Sequence, residues 1–235
     1  MILNKPYVIS GITKTTKDVT TFTFKAQDGS SIDYSPGMFA MITYDGQGSK
    51  VSRAFSIANA PPSSELKFFI SMIGGQLTSK LAEAKIGDVY KISAPYGQFK
   101  LESDFGNKLL FMAGGTGLAP FFSMLEYIIA KGAAPDIVLL YSVKFPYDII
   151  EKESLEAMVG KLHGKMAVTV TRPVEGDGWT GDTGHMNADT VKKYAPDFAE
   201  RVSYICGPPA FVKALKADLV SMGVSEREIK AEMWG

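Results

Sequence analysis

The chain has 235 residues, a length that allows one large domain or two smaller domains that each bury a core. Its 25 lysines and arginines balance 25 aspartates and glutamates, and no run of five basic residues occurs, so nothing indicates a nucleic-acid-binding protein. The single cysteine excludes an internal disulfide, and also an iron–sulfur cluster held by four thiolates of this chain. We therefore expect a cytoplasmic protein whose partners are small molecules or other proteins.

Short extended segments dominate the sequence up to about residue 101. In Val19–Lys25, Phe22 and Phe24 fall on one face of a strand, while threonines occupy the other face. The succession of such segments predicts a small antiparallel β-barrel. The further predicted strands are Phe39–Tyr44, Leu66–Ile73 and Val89–Ser93, and the predicted turns are Asp28-Gly29, Pro36-Gly37 and Gly87-Asp88.

Two segments of this first half carry groups suited to an anionic ligand. Arg53-Ala54-Phe55-Ser56 combines a charge for a phosphate, an aromatic face for a ring and a hydroxyl for a ring nitrogen. Gly74–Thr78 follows a strand and precedes the helical pattern Ser79–Ala84, which would place free N–H groups and the positive end of a helix beside a pyrophosphate. The alternatives are a surface arginine next to a buried aromatic side chain and an ordinary glycine hairpin.

Beyond Asp104, apolar strand segments alternate with longer helical patterns. This alternation predicts an α/β domain with a mostly parallel, Rossmann-like sheet, whose ligands lie at the carboxyl ends of the strands. We place the domain boundary near Ser103–Asn107, which divides the chain into residues 1–103 and 104–235. The strand candidates are Leu109–Ala113, Ile137–Ser142, Met166–Thr171 and Val202–Cys206, and the helix candidates are Pro120–Lys131, Ile149–Val159, Ala188–Tyr194, capped by Asn187, and Ala210–Ser221.

One apolar run, Leu109–Ala130, is long enough to span a bilayer and carries a single charge, Glu126. The Gly114–Gly117 cluster and Pro120 interrupt it, so a buried strand, a turn and a buried helix fit better than a membrane span. At the N-terminus, Met1–Ser10 lacks the apolar core of a signal peptide, and we expect no targeting segment there.

Two motifs of the second half lie where predicted strands end. Gly114-Gly115-Thr116-Gly117-Leu118-Ala119-Pro120 follows an apolar run and offers backbone N–H groups to a phosphate. Cys206-Gly207-Pro208-Pro209 ends another strand with a rigid turn. Taken alone, a cysteine at a strand end is usually a small buried apolar residue.

The order of these segments resembles the ferredoxin–NADP reductase family, and especially its oxygenase-reductase branch. The resemblance implies an FAD-binding barrel in residues 1–103 and an NAD(P)-binding α/β domain in residues 104–235. It also implies an enzyme that passes hydride from NAD(P)H to FAD, and then electrons to a separate acceptor. A free flavin, an iron–sulfur protein, an oxygenase component and a haem protein are all compatible acceptors. The alternative is a non-catalytic flavin- or nucleotide-binding subunit of a larger complex.

The resemblance also assigns roles in the flavin site. Arg53 would pair with the flavin phosphate, Phe55, where the family usually has tyrosine, would pack on the isoalloxazine ring, and Ser56 would reach the ring nitrogen that accepts hydride. Because Phe55 has no hydroxyl, a hydrogen bond to the sugar chain of the cofactor is lost. The remaining candidates for contact with FAD are Ile70, Gly75, Gln76, Leu77, Thr78 and Trp234.

The nicotinamide site follows in the same way. Cys206 would face the reactive nicotinamide carbon, and Glu232, in the C-terminal segment Glu232-Met233-Trp234-Gly235, would stabilise the positive charge of the oxidised ring. Trp234 would cover the flavin, or alternatively belong to a closing strand and fill the domain interface. The catalytic candidates are thus Ser56, Cys206 and Glu232, and the coenzyme-binding candidates are Gly115, Thr116, Gly117, Pro120, Cys206, Gly207 and Pro208.

The choice between NADH and NADPH depends on residues that follow two strands of the second half. Lys144 and Arg172 favour the 2′-phosphate of NADPH, whereas Asp148 opposes it, and we expect a slight preference for NADH. The two histidines, His163 and His185, are isolated from acidic residues at ligand spacing, so we expect no metal site.

Overall fold

The computed structural model describes residues 1–46 and 48–234, and it contains two six-stranded sheets. The first sheet is antiparallel throughout, in the order β4-β3-β6-β1-β2-β5, and its edge strands β4 and β5 approach each other to form a half-open barrel. A short helix, α1 (Gln76–Ala82), follows β5. The strands are β1 (Ile2–Lys14), β2 (Val19–Ala26), β3 (Phe39–Gly46), β4 (Ser49–Ser56), β5 (Glu65–Ser71) and β6 (Val89–Tyr96).

Aromatic side chains fill the barrel. The ring of Phe24 lies 5.8 Å from that of Phe68 and 5.7 Å from that of Tyr90, both in edge-on geometry. The four strands predicted from alternation are confirmed, whereas β1 and β4 were not predicted. β1 contains Pro6 and a register shift before Gly11, and β4 is an edge strand with few buried residues, so neither has a clear apolar period.

The second sheet is parallel throughout, in the order β10-β9-β8-β7-β11-β12. Its four long internal strands were predicted because they are continuous apolar runs, whereas the edge strands β10 and β12 are short and half exposed. The strands are β7 (Lys108–Gly114), β8 (Asp136–Val143), β9 (Lys165–Val170), β10 (Asp182–Thr183), β11 (Val202–Gly207) and β12 (Ile229–Met233).

Four helices connect these strands: α2 (Ala119–Ala130), α3 (Lys152–Lys161), α4 (Ala188–Tyr194) and α5 (Pro209–Ser221). The predicted cap of α4 is confirmed, because Asn187 Oδ1 accepts hydrogen bonds from the N–H groups of Asp189 and Thr190, both at 3.1 Å. α3 begins three residues later than predicted, after a 3₁₀ turn at Pro146–Asp148 and a left-handed residue, Glu151. No helix in the described ranges combines the length and apolarity needed to cross a bilayer.

The strand order of the second sheet reverses between β7 and β11. From β7 the chain builds β8, β9 and β10 on one side, and then returns to add β11 and β12 on the other side. The carboxyl ends of β7 and β11, at Gly114 and Gly207, therefore border a crevice of the kind in which doubly wound sheets bind ligands. The predicted fold, an antiparallel β-barrel followed by a Rossmann-like α/β domain, is confirmed, and the structure adds that the barrel is half-open.

One of the three buried apolar clusters spans the junction of the two sheets. Phe69 and Phe99 of the barrel half belong to the same buried cluster as Phe121, Phe122 and Tyr204 of the second half. The rings of Phe69 and Phe122 are 5.3 Å apart, and those of Phe99 and Tyr204 are 5.7 Å apart. This packing fixes the edge of the barrel against the carboxyl ends of the parallel strands.

An arginine clamps the opposite, amino-terminal end of the parallel sheet. Arg201 is 5% exposed, and its guanidinium donates to the carboxylates of Asp136 and Asp197, each at 2.7 Å at the shortest. It also donates to the main-chain carbonyls of Leu109 and Asp136. The charge is fully paired, so Arg201 joins β7, β8 and the segment before β11 without an orphaned donor.

Candidate functional site

A cavity of about 470 Å³ lies at the junction of the two halves, and side chains from both sheets line it. Four aromatic side chains, Phe39, Phe55, Phe69 and Trp234, contribute to its walls, and Arg53 flanks its opening. It brings together most of the site residues predicted from the sequence: Arg53, Phe55, Ser56, Gly75, Gln76, Leu77, Thr78, Thr116, Glu232 and Trp234.

Arg53 supplies a cation at the rim of the cavity. It stands on the edge strand β4, its side chain is exposed, and its Nη1 donates to the carbonyl of Ser52 at 2.8 Å. Within residues 1–46 and 48–234, no carboxylate lies within 4.0 Å of its guanidinium. The fork is therefore available for an anionic ligand. Phe55 and Ser56, at the end of the same strand, are half-buried.

The second predicted phosphate segment forms the start of α1. Gly74 turns the chain with a φ of 86°, and the helix begins at Gln76, three residues earlier than predicted. The first helical hydrogen bond runs from Ser79 N to the carbonyl of Gly75 at 2.8 Å. The N–H groups of the first turn have no intrahelical acceptor, and this turn lines the cavity.

Ile70 does not line the cavity, which corrects the expectation for its side chain. It is fully buried in the barrel core, whereas its neighbours Phe69 and Ser71 face the cavity, because successive side chains of β5 alternate between the two faces. A contact of Ile70 with a ligand would have to come from its backbone.

The glycine turn after β7 forms a short 3₁₀ helix, Gly115–Leu118, at the reversal point of the sheet. A Cβ on Gly117 would lie 2.3 Å from the carbonyl oxygen of Cys206, so glycine is required there for close packing of two backbones. Thr116 and Ala119 line the cavity, while Pro120 is buried at the start of α2 and does not.

Cys206, Glu232 and Trp234 converge at the ends of β11 and β12. Cys206 and Glu232 are register partners, and Trp234 N donates to the carbonyl of Gly207 at 3.3 Å. Pro208 follows as the exposed residue that caps α5. The C-terminal segment thus continues directly from a closing strand, so both alternatives for Trp234 are compatible with its position. Gly235 lies outside the described residues.

The electrostatics of this cluster follow from burial. Burial raises the pKa of the Cys206 thiol well above its usual value, and the nearby Glu232 carboxylate raises it further. Burial also raises the pKa of Glu232 to about 7. Near neutral pH the Cys206 thiol is therefore neutral, and Glu232 is divided between its protonated and its ionised form. The thiol does not act as a thiolate nucleophile.

The residues expected to select the coenzyme lie beyond β8 and β9. Arg172 N donates to the carbonyl of Lys144 at 2.8 Å, which places the two basic residues side by side. Asp148 Oδ2 accepts from Phe145 N at 3.2 Å, so its carboxylate closes the turn after β8. Burial raises the pKa of Asp148. Within the described ranges, no group of three or more histidine, cysteine, aspartate and glutamate side chains could hold a metal ion.

Sequence reasoning missed several residues of the cavity wall: Phe39, Ala54, Phe69, Ser71, Ile73, Ala119 and Met233. Phe39 and Phe69 belong to predicted strands, and the alternation of β5 could have identified Phe69 once the inner face of the barrel was assigned. Ile73 and Met233 have exposed side chains at the ends of strands, and the sequence contains no pattern that marks them.

Two family models match the chain. An oxidoreductase FAD-binding domain matches residues 6–101, and an oxidoreductase NAD-binding domain matches residues 111–217. The chain is 30% identical over 225 residues to the glycine betaine monooxygenase reductase subunit of Pseudomonas aeruginosa. That match covers 94% of this chain and 61% of the relative, so the chain spans about three fifths of the relative's length.

Two solved structures show the same fold over nearly the whole chain. The flavohem-like FAD/NAD-binding domain of nitric oxide dioxygenase from Vibrio cholerae is 21% identical, with a TM-score of 0.88 and 100% of both chains covered. A ferredoxin NADP⁺ reductase from Neisseria gonorrhoeae, solved with bound FAD and NADP, is 23% identical, with a TM-score of 0.82 and 97% of both chains covered.

Proposed function

Because the chain belongs to the ferredoxin–NADP reductase family and carries its FAD-binding and NAD-binding domains, we propose that it is an FAD-dependent NAD(P)H reductase that serves a separate electron acceptor. The observation that carries this proposal is the cavity shared by the two halves. It has aromatic walls and a free cation from the barrel, and a nucleotide turn and an acidic residue from the parallel sheet. A protein that binds only one nucleotide would not need both the groups from the barrel and those from the parallel sheet.

The residues of the cavity fit FAD. Aromatic walls suit a planar ring system, and Arg53 and the first turn of α1 suit the two phosphates of a pyrophosphate. Ser56 has a hydroxyl that can donate to a ring nitrogen. When bound, FAD supplies the exchange between two-electron chemistry with NAD(P)H and one-electron chemistry with an acceptor.

The second half would hold the nicotinamide nucleotide. The Gly115–Leu118 turn and the start of α5 border the crevice at the sheet reversal, where a nucleotide phosphate can meet backbone N–H groups. Cys206 is a small, fully buried residue at the end of β11, directly behind the proposed ring position. Glu232 in its ionised form favours the positive charge of the oxidised nicotinamide. We propose these roles for Cys206 and Glu232. We also propose that residues 1–103 form the FAD-binding domain and residues 104–235 the NAD(P)-binding domain.

We further propose an oxygenase component or another separate redox protein as the acceptor, and a cytoplasmic location. The most similar relative described above is named a reductase subunit of a monooxygenase, which supports the first proposal. The second rests on the one free, buried cysteine. Lys144 and Arg172 form a basic pair near the coenzyme edge, and Asp148 lies beside them, so we retain the slight preference for NADH. Steady-state rates with NADH and NADPH test that choice, and a hundredfold preference for NADPH would overturn it.

The test of the proposed function is a visible spectrum of the purified full-length chain. We expect a yellow protein that retains FAD rather than FMN and is bleached by NADH without oxygen. Arg53→Ala should weaken FAD binding by about tenfold to a hundredfold, because a charge-assisted contact of about 1.5–3 kcal/mol is lost. Lys50→Ala removes an exposed cation of the same strand that does not line the cavity, and should leave FAD binding unchanged.

Two outcomes would contradict the proposal. Colourless protein that takes up no FAD on titration would exclude the flavin site. Protein that binds FAD but is not bleached by either NADH or NADPH would favour the alternative, a non-catalytic subunit.

A further inference from the structure

The segment between β4 and β5, residues 57–64, follows the strand that carries Arg53 and Ser56 and contacts the second half of the molecule. It begins directly after Ser56, the last residue of β4. The side chain of Asn59 holds the segment in shape, because its Nδ2 donates to the carbonyl of Glu65 at 2.9 Å and its Oδ1 accepts from Lys67 N at 2.8 Å. The segment is therefore rigid at the point where it meets the second half.

Two side chains of α2 bind this segment across the junction. Ser123 Oγ donates to the main-chain carbonyl of Asn59 at 2.7 Å, and Glu126 Oε2 accepts from Ala60 N at 2.9 Å. Ser123 and Glu126 are three residues apart on one face of the helix, and Ser123 is fully buried. The same carbonyl of Asn59 accepts from Tyr34 Oη at 2.8 Å, a bond that stays within the barrel half.

Both segments joined by these hydrogen bonds are close in sequence to residues that line the cavity. Asn59 is three residues beyond Ser56, at most about 10 Å of extended chain. Ser123 is seven residues beyond Thr116, about 10 Å along a helix. Ser56, Thr116 and Ala119 all line the cavity. The hydrogen bonds of α2 thus fix the two walls of the cavity relative to each other from close behind it.

The rest of the junction is less directional. Much of it is aromatic and aliphatic packing, for which small sliding motions cost little, such as the edge-on contact of Phe69 with Phe122. Two longer ion pairs also cross it, Lys67–Glu126 at 3.9 Å and Lys230–Glu102 at 3.3 Å. Hydrogen bonds, in contrast, weaken steeply as their angles change. We propose that Ser123 and Glu126 are positioning residues that set the separation of the flavin and nicotinamide sites. This inference rests on the FAD-dependent function proposed above.

This role has a specific consequence. Transfer between two stacked rings requires reacting atoms about 3–3.5 Å apart, and a displacement of about 1 Å lowers the rate by about a hundredfold. Losing the Ser123 and Glu126 contacts should therefore slow flavin reduction while leaving the binding of each cofactor almost unchanged. Neither residue lines the cavity, so neither contributes directly to cofactor affinity.

The test is anaerobic stopped-flow reduction of the FAD-loaded, full-length chain over a range of NADH concentrations. Ser123→Ala and Glu126→Ala should each lower the limiting reduction rate by about tenfold to a hundredfold, with the apparent Kd for NADH within about twofold of the parent. Glu126→Gln keeps an oxygen acceptor for Ala60 N and should restore most of the rate. Tyr34→Phe is the matched control, because it removes a hydrogen bond to the same carbonyl without crossing the junction, and it should keep the parental rate.

A second measurement needs no turnover. Amide hydrogen exchange of residues 57–60 should become faster in Glu126→Ala and stay close to that of the parent in Glu126→Gln. Parental limiting rates in both Ser123→Ala and Glu126→Ala, or an equal loss in Tyr34→Phe, would overturn the positioning role while the reductase function stands. A parent protein that binds FAD and is not reduced by NADH or NADPH would overturn the proposed function, and the positioning role with it.

Discussion

The raised pKa of Glu232 predicts how the stability of the folded protein depends on pH, whatever reaction the protein catalyses. Burial raises this pKa from an ordinary 4.5 to about 7 in the folded protein. The folded state therefore binds a proton more tightly than the unfolded state, and its stability falls as pH rises from about 4.5 to about 7. Above pH 7 the cost is constant. Glu232→Gln removes the titration and should abolish this part of the pH dependence.

The magnitude follows from the shift. A difference of about 2.5 pKa units at about 1.36 kcal/mol per unit gives an upper limit of about 3 kcal/mol, and partial contact with solvent lowers it. We expect Glu232→Gln to exceed the parent in free energy of unfolding by about 1–3 kcal/mol at pH 8, and by less than about 1 kcal/mol at pH 5, where the unfolded chain already ionises this group. The measurement is urea unfolding at several pH values, with the same excess of FAD throughout.

Glu228→Gln is the matched control, because Glu228 is exposed in the turn just before β12. This variant should follow the parent at every pH. If the curves of the parent and Glu232→Gln stay parallel between pH 5 and pH 8, the carboxyl group is not held at a raised pKa. The electrostatic role proposed for Glu232 would then lose its physical basis.

Four other predictions concern the nicotinamide side of the cavity and the sheet behind it. Cys206→Ser should keep FAD and slow its reduction by about a hundredfold in stopped flow, and parental rates would remove the residue from this step. Trp234→Ala should bind oxidised coenzyme up to about tenfold more tightly in a titration, whereas Trp234→Tyr should match the parent; unchanged affinity in the alanine variant would mean that the indole only packs the interface. Gly117→Ala should prevent normal folding, seen as aggregation on expression, because its Cβ would meet the Cys206 carbonyl at 2.3 Å. Arg201→Ala should lose about 3 kcal/mol in urea unfolding without a change in FAD affinity, and a loss below 1 kcal/mol would contradict the clamp.

The sequence predicted four of the six strands in each sheet, but it placed the strand bounds more accurately in the second half, for a physical reason. Strands such as Leu109–Ala113 are buried on both faces and stand out as apolar runs, so their positions were correct within one or two residues. β1 and β4 are partly exposed on an open barrel, and their residues do not alternate clearly. The lengths of these segments and the turn residues around them could not identify the two strands without such an alternation.

The motifs located the cavity, but they did not describe its walls. Arg53 and Gly75–Thr78 were found because charge and glycine turns are local signals. Phe39 and Ile73 reach the cavity only through the curl of the barrel, which no local pattern encodes. The resemblance implies a contact of Ile70 with FAD, whereas its side chain is buried in the barrel core and its neighbours Phe69 and Ser71 line the cavity. The roles of the individual site residues in binding and catalysis stay predictions.

The buried apolar cluster that spans the junction has a consequence for how such a protein can be dissected or recombined. Cutting the chain between the sheets would bare Phe69 and Phe99 on one fragment and Phe121 and Phe122 on the other, and exposed aromatic surfaces of this kind promote aggregation. Calorimetry should accordingly record a single cooperative transition rather than two. A new acceptor preference would therefore be introduced more safely by redesigning the outer surface of the intact molecule than by exchanging one half, which would leave the junction cluster without its partner residues.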